Sequence, residues 1–132
     1  MECNKNTDDN NANGRSVILF VDDDPFLHPV VKELFSDYLV IFADNGLEAL
    51  NIMQSHKVDL IITDLHMPEM NGFELAFAIK NKLKNNIPII LQTGSFGSKI
   101  KMEKSELFDA VFFKPYKFSD LRALIQQLLS KP

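Results

Sequence analysis

Five short apolar runs recur along this chain, and segments of helical period separate them. The runs are VILFV (17–21), VIFA (40–43), DLIIT (59–63), PIILQ (88–92) and AVFF (110–113). None alternates apolar with polar residues, so each reads as a strand buried on both faces. Strands of that kind belong to parallel sheets covered by helices on both sides. Right-handed crossovers then leave few topologies open. The expected fold is α/β: a doubly wound five-stranded parallel sheet in the order 2-1-3-4-5, with five helices.

The intervening segments carry the helical signals. After Pro25 comes FLHPVVKELF, where Phe26, Val30 and Leu34, joined by Leu27 and Val31, form an apolar stripe. Asp24 is placed to cap this helix, with Pro25 in its first turn. Pro29 removes a backbone donor near the start, where a kink is expected. After Asn45-Gly46, Leu47 and Leu50, with Met53, are expected to face the core. FELAFAIKNKL (73–83) is amphipathic, and a weaker helical segment spans about 98–107. The last helix is expected to start at a Ser119 cap and to bury Leu121, Leu124, Ile125, Leu128 and Leu129.

With 132 residues the chain suits one domain. Residues 1–15 are polar and are expected to be a disordered tail, leaving 16–132 as the folded unit. The lone Cys3 allows no internal disulfide, which suits a reducing compartment. No apolar stretch approaches ~20 residues, and no signal-peptide core is present, so a cytoplasmic location is expected. The net charge of -4 argues against direct DNA binding, which favours a basic surface.

In a doubly wound sheet the strand C-termini share one edge, and ligands bind there. Strand one ends at Asp22, Asp23 and Asp24, strand three at Asp64, strand four at Thr93 and strand five at Lys114. Each residue alone has an ordinary turn or surface explanation. Polar residues at four of five neighbouring strand ends do not. Clustered carboxylates repel by about 4 kcal/mol per pair at ~4 Å and an effective dielectric of ~20. A hard divalent cation removes that repulsion. An oxygen-only set suits Mg²⁺, and Mn²⁺ is possible. Beside the ion, Lys114 and Thr93 are placed to bind phosphoryl oxygens, with the Asp64 carboxylate as nucleophile.

These motifs resemble those of the response-regulator receiver domain: VDDDP, ITDLHMPEMNG, QTGS and FFKPY, in that order. The resemblance covers about 16–130 and implies the receiver version of the flavodoxin-like fold. It implies that Asp64 is the phosphoacceptor, that Thr93 is the switch hydroxyl and that Lys114 binds phosphate, followed by a cis Pro115. It also implies that Asp22, Asp23, Asp64 and the backbone carbonyl of His66 hold Mg²⁺. Gly72 is expected to supply an unusual backbone angle. Two features depart from the family. Val111 stands where an aromatic switch residue is common. The stretch before the fifth strand has Leu107 in place of a helix-ending glycine, and the interval from Thr93 to Lys114 is about one residue short.

The resemblance implies a phosphorelay signalling domain that takes a phosphoryl group from a histidine kinase or a histidine phosphotransfer protein. It would catalyse only its own phosphotransfer and self-dephosphorylation. Since the chain ends at Pro132, the output is expected to be a contact with an unknown protein, or onward relay, made by a monomer or weak dimer. A competing reading is a phosphorylation-independent interaction module of the same fold. A flavin-binding reading is disfavoured, because three aspartates after strand one would repel the cofactor phosphate. An aspartyl-phosphate phosphatase would want a second acid where His66 stands.

Overall fold

The computed structural model describes residues 14–94 and 106–130. Its sheet has five strands, all parallel, in the order β2-β1-β3-β4-β5, as the sequence predicts. They are β1 (Val17–Val21), β2 (Leu39–Ala43), β3 (Leu60–Asp64), β4 (Ile89–Thr93) and β5 (Ala110–Phe113). Between them lie α1 (Leu27–Leu34), α2 (Gly46–Ser55) and α3 (Gly72–Phe77), and α4 (Phe118–Leu129) closes the chain. A π-helical turn, Ala78–Lys82, continues α3. Four helices are therefore described. The segment expected at 98–107 lies outside the described residues except for a turn at 106–107, as does most of the tail expected at 1–15.

Side chains alternate between the two faces of the sheet. The odd-numbered residues Val17, Leu19, Val21, Ile61, Ile89 and Leu91 pack with Ala49 and Met53 of α2 and with Leu75, Ala76 and Ile79. The even-numbered Ile18, Phe20, Leu60, Ile62 and Ile90 pack with Val31 and Phe35 and with Leu121 and Ile125 of α4. Both faces are covered, which is why the strands read as continuous apolar runs.

Expectations for three of the helices are corrected. In α1, Phe26, Val30 and Leu34 face solvent at 84%, 45% and 42% exposure, while Val31 and Phe35 are buried and Leu27 is half-buried. His28 fixes this rotation: its Nε2 lies 3.0 Å from the Asp22 carbonyl, and its ring stacks on Phe42 at 4.3 Å. The helix also starts later than expected. Asp24 Oδ1 accepts from the Phe26 N–H at 3.0 Å, forming a turn that precedes the helix. Pro29 is then the third helical residue, where a backbone N–H has no intrahelical acceptor, so the ring removes no helix hydrogen bond. In α2, Leu47 is 47% exposed, whereas Met53 faces the core as expected, joined by Ala49, with Leu50 half-buried against them. Finally, Ser119 does not cap α4. The helix begins at Phe118, with Lys117 at the cap position.

Candidate functional site

Strand register builds the site. Val21 pairs with Thr63, Asp64 with Gln92, and Gln92 with Phe112. One step past β1, Asp22 donates its N–H to the Ala43 carbonyl at 3.0 Å. Asp22, Asp64 and Gln92 therefore form one row on one face at the C-terminal edge of the sheet. Asp23 is exposed beside them. One carboxylate oxygen from each of Asp22, Asp23 and Asp64 lies within 4.8 Å of the other two. These donors are all hard oxygens, and the set fits a cation of the Mg²⁺ type.

Lys114 meets this nest from β5. Its Nζ stands 3.3 Å from Asp64 Oδ2 and 3.6 Å from Asp22 Oδ2. Its N–H donates to the Thr93 carbonyl at 2.8 Å, and the Lys114-Pro115 bond is cis as expected. Asp64 Oδ1 accepts from the Leu65 N–H at 3.0 Å. Burial raises the Asp64 pKa above its ordinary value. The Lys114 charge opposes that shift, and the Asp22 charge reinforces it. Thr93 is fully buried at the end of β4, and His66 is exposed two residues past Asp64.

The loop after Asp64 is held from below. Asn71 and Glu74 form a reciprocal capping box at the start of α3. The Gly72 N–H donates to the Leu65 carbonyl at 2.8 Å. Gly72 has no positive φ, which corrects the expectation of an unusual backbone angle. A Cβ there would lie 2.6 Å from the Asp64 carbonyl oxygen and 3.1 Å from Leu65 Cα, so close approach explains the glycine. Val111 packs with the α2–α3 cluster, on the face opposite the acidic row.

Sequence reasoning missed two residues. Gln92 is buried, and its Nε2 donates to Asp22 Oδ2 at 2.9 Å. The Tyr116 hydroxyl in turn donates to Gln92 Oε1. Burial chiefly, then the Asp22 and Asp64 charges, raises the Tyr116 pKa. The available signal was a lone amide closing the otherwise apolar run PIILQ. A buried amide needs partners, but nothing local indicates which.

Comparison with known proteins identifies the family. Residues 18–126 match the family described as the response regulator receiver domain. The chain is 30% identical over 116 residues to sporulation initiation phosphotransferase F of Bacillus subtilis, covering 85% of this chain and 92% of that protein. It is 32% identical to the probable transcriptional regulator ycf29 of Pyropia yezoensis, and 36% identical to histidine kinase P4 of Formosa agariphila. It spans 53% and 9% of the lengths of those two proteins, against 86% and 87% of its own. Among solved structures, the response regulator TrrA of Thermotoga maritima, in complex with Mg²⁺-BeF, superposes with a TM-score of 0.77 at 34% identity. That alignment covers 86% of this chain and 99% of TrrA. The non-phosphorylated HemR receiver domain of Leptospira biflexa gives 0.79 at 29% identity, over 89% and 97% of the two chains. A match that runs from the first strand into the last helix, on a shared fold, makes this chain a member of the response regulator receiver domain family.

Proposed function

We propose that this chain is a phosphoacceptor signalling domain, phosphorylated on Asp64 by a phosphohistidine protein. The observation that carries the reading is the Asp22–Asp23–Asp64 oxygen nest with Lys114 Nζ 3.3 Å from the Asp64 carboxylate. Asp22, Asp23 and Asp64, with the His66 backbone carbonyl, would hold Mg²⁺. The ion supplies charge neutralisation for the phosphoryl oxygens. An Asp64 carboxylate oxygen forms the new P–O bond as the P–N bond to the donor imidazole breaks. The bonding pair stays on the imidazole nitrogen, which then takes a proton. Lys114 and the Thr93 hydroxyl bind phosphoryl oxygens, and water later hydrolyses the acyl phosphate. A TrrA structure solved in complex with Mg²⁺-BeF supports the reading by similarity.

The partner surface follows from α1. Phe26 is 84% exposed and lies two residues past Asp24, and Val30 and Leu34 continue its stripe at helical spacing. This apolar strip beside the acidic loop is our proposed docking face for a histidine kinase or phosphotransfer protein. The output is contact with a further protein or onward relay, in the cytoplasm, with the chain as a monomer or weak dimer.

The test is phosphoryl transfer from a labelled phosphohistidine protein. Wild type is expected to gain label and Asp64→Asn to gain none. Phe26→Ser is expected to lose more rate with the protein donor than with acetyl phosphate. Undiminished labelling of Asp64→Asn would refute the assignment and favour a phosphorylation-independent module, the reading to which Val111 lends weight.

A further inference from the structure

We propose that Gln92 is a positioning residue for the acidic site: anchored by Tyr116, it holds the Asp22 carboxylate in its ligating orientation. The hydrogen-bond roles follow from chemistry. An ionised carboxylate only accepts, so the amide must turn its NH₂ toward Asp22. Its oxygen then faces Tyr116, whose hydroxyl must donate. No other amide orientation satisfies both neighbours.

The anchor is rigid at both ends. Gln92 sits on a central strand, in register between Asp64 and Phe112. Tyr116 packs edge-on against Phe112 at 5.2 Å and Phe118 at 5.7 Å. The amide therefore donates from a fixed point to Asp22 Oδ2, while the Asp24 N–H donates to Oδ1 at 3.0 Å. Both oxygens of Asp22 are thus oriented by donors from different parts of the fold.

This arrangement also divides the labour at Lys114. Its ammonium stands between the carboxylates of Asp22 and Asp64, 3.6 and 3.3 Å away. Without the amide, Asp22 Oδ2 would keep Lys114 as its remaining donor among the described residues. The carboxylate would swing toward the ammonium, leave the nest and draw Lys114 away from Asp64. Gln92 thereby keeps Asp22 directed at the cation and leaves Lys114 to Asp64. Residues that orient metal ligands in this way alter affinity about 10- to 100-fold when replaced.

The inference rests on the Mg²⁺ reading above, and calorimetric titration of the full chain with MgCl₂ separates the two. Gln92→Met keeps the length and volume of the side chain and removes both hydrogen bonds. It is expected to weaken Mg²⁺ binding roughly tenfold. Tyr116→Phe loses one oxygen atom and is expected to weaken binding about two- to fourfold. Adding it to Gln92→Met should produce no further loss, because the two act through one contact. A spectroscopic readout is also available, since the chain has two tyrosines and no tryptophan. In a Tyr38→Phe background, Mg²⁺ should produce a near-ultraviolet difference signal from Tyr116 that disappears with Gln92→Met. Melting in EDTA separates lost stability from lost positioning. Wild-type affinity in both Gln92→Met and Tyr116→Phe, whatever their melting temperatures, overturns the inference alone. Absence of Mg²⁺ binding by the wild type overturns the metal reading with it.

Discussion

At the scale of single residues, the site is a compromise between charge and burial. Asp64 is held beside Asp22 in a half-buried position, where burial and, to a lesser extent, the Asp22 charge raise its pKa against the opposing Lys114 charge. If Asp64 is the phosphoacceptor proposed above, its placement trades stability for function, as is common at active sites. Asp64→Asn removes one repelling charge and leaves Asp22 to neutralise Lys114. In EDTA at neutral pH this variant is expected to be more stable by roughly 1 kcal/mol, or a few degrees in Tm. Saturating Mg²⁺ should narrow the gap by stabilising the wild type. A lower Tm for the variant in EDTA would contradict this account of the crowding. Gly72 gives the opposite case. A methyl group there meets backbone atoms, which have little room to yield. Gly72→Ala is expected to cost about 1–3 kcal/mol in urea unfolding and to slow labelling of Asp64 by shifting its carbonyl. A neutral effect on both would show that the loop is more pliant than its contacts indicate.

At the scale of elements, Arg122 ties α4 to the end of α1. Its guanidinium donates to the Asp37 carboxylate at 2.9 and 3.1 Å and to the Leu34 carbonyl, and it lies 5.0 Å from the Phe35 ring centroid. Arg122→Ala is expected to cost about 1–2 kcal/mol by denaturation, chiefly through the ring contact and the helix-end carbonyl. The Asp37 pair is exposed and worth under ~1 kcal/mol after solvent screening. The Arg122 hydrogen bond lowers the folded pKa of Asp37 below its ordinary 3.8. That part of the stability is therefore present above the unfolded value and is lost as pH falls through the folded one. The difference between wild type and variant should shrink in that acid window. A difference that is constant down to strong acid would remove Asp37 from the account. α1 also shows where sequence reading stops. It has apolar residues at 26, 30 and 34 and again at 27, 31 and 35, so period alone allowed two rotations. The contacts of His28 with Asp22 and Phe42 select one of them. Cap residues were not legible in the sequence. Asn45, read only as a strand breaker, accepts from the Glu48 N–H and caps α2, whereas Ser119, expected as a cap, is not used by α4.

At the scale of the whole molecule, most of the architecture could be read from the chain, because strands covered on both faces leave short continuous apolar runs that alternate with segments of helical period. The convergence of Asp22, Asp23, Asp64 and Lys114 followed from topology, since parallel strands bring distant residues to one edge. The Gln92–Tyr116 bond did not follow, because it joins residues 24 positions apart and depends on the depth at which a tyrosine is buried. On the proposed reading the acidic nest makes Asp64 a phosphoacceptor. The most direct test is the intact mass of the full chain after incubation with acetyl phosphate and Mg²⁺, followed by peptide mapping. A gain of one phosphoryl group is expected, located on Asp64, dependent on Mg²⁺ and absent from Asp64→Asn. An unchanged mass with Mg²⁺ bound, or a phosphoryl group located on another residue, would contradict it.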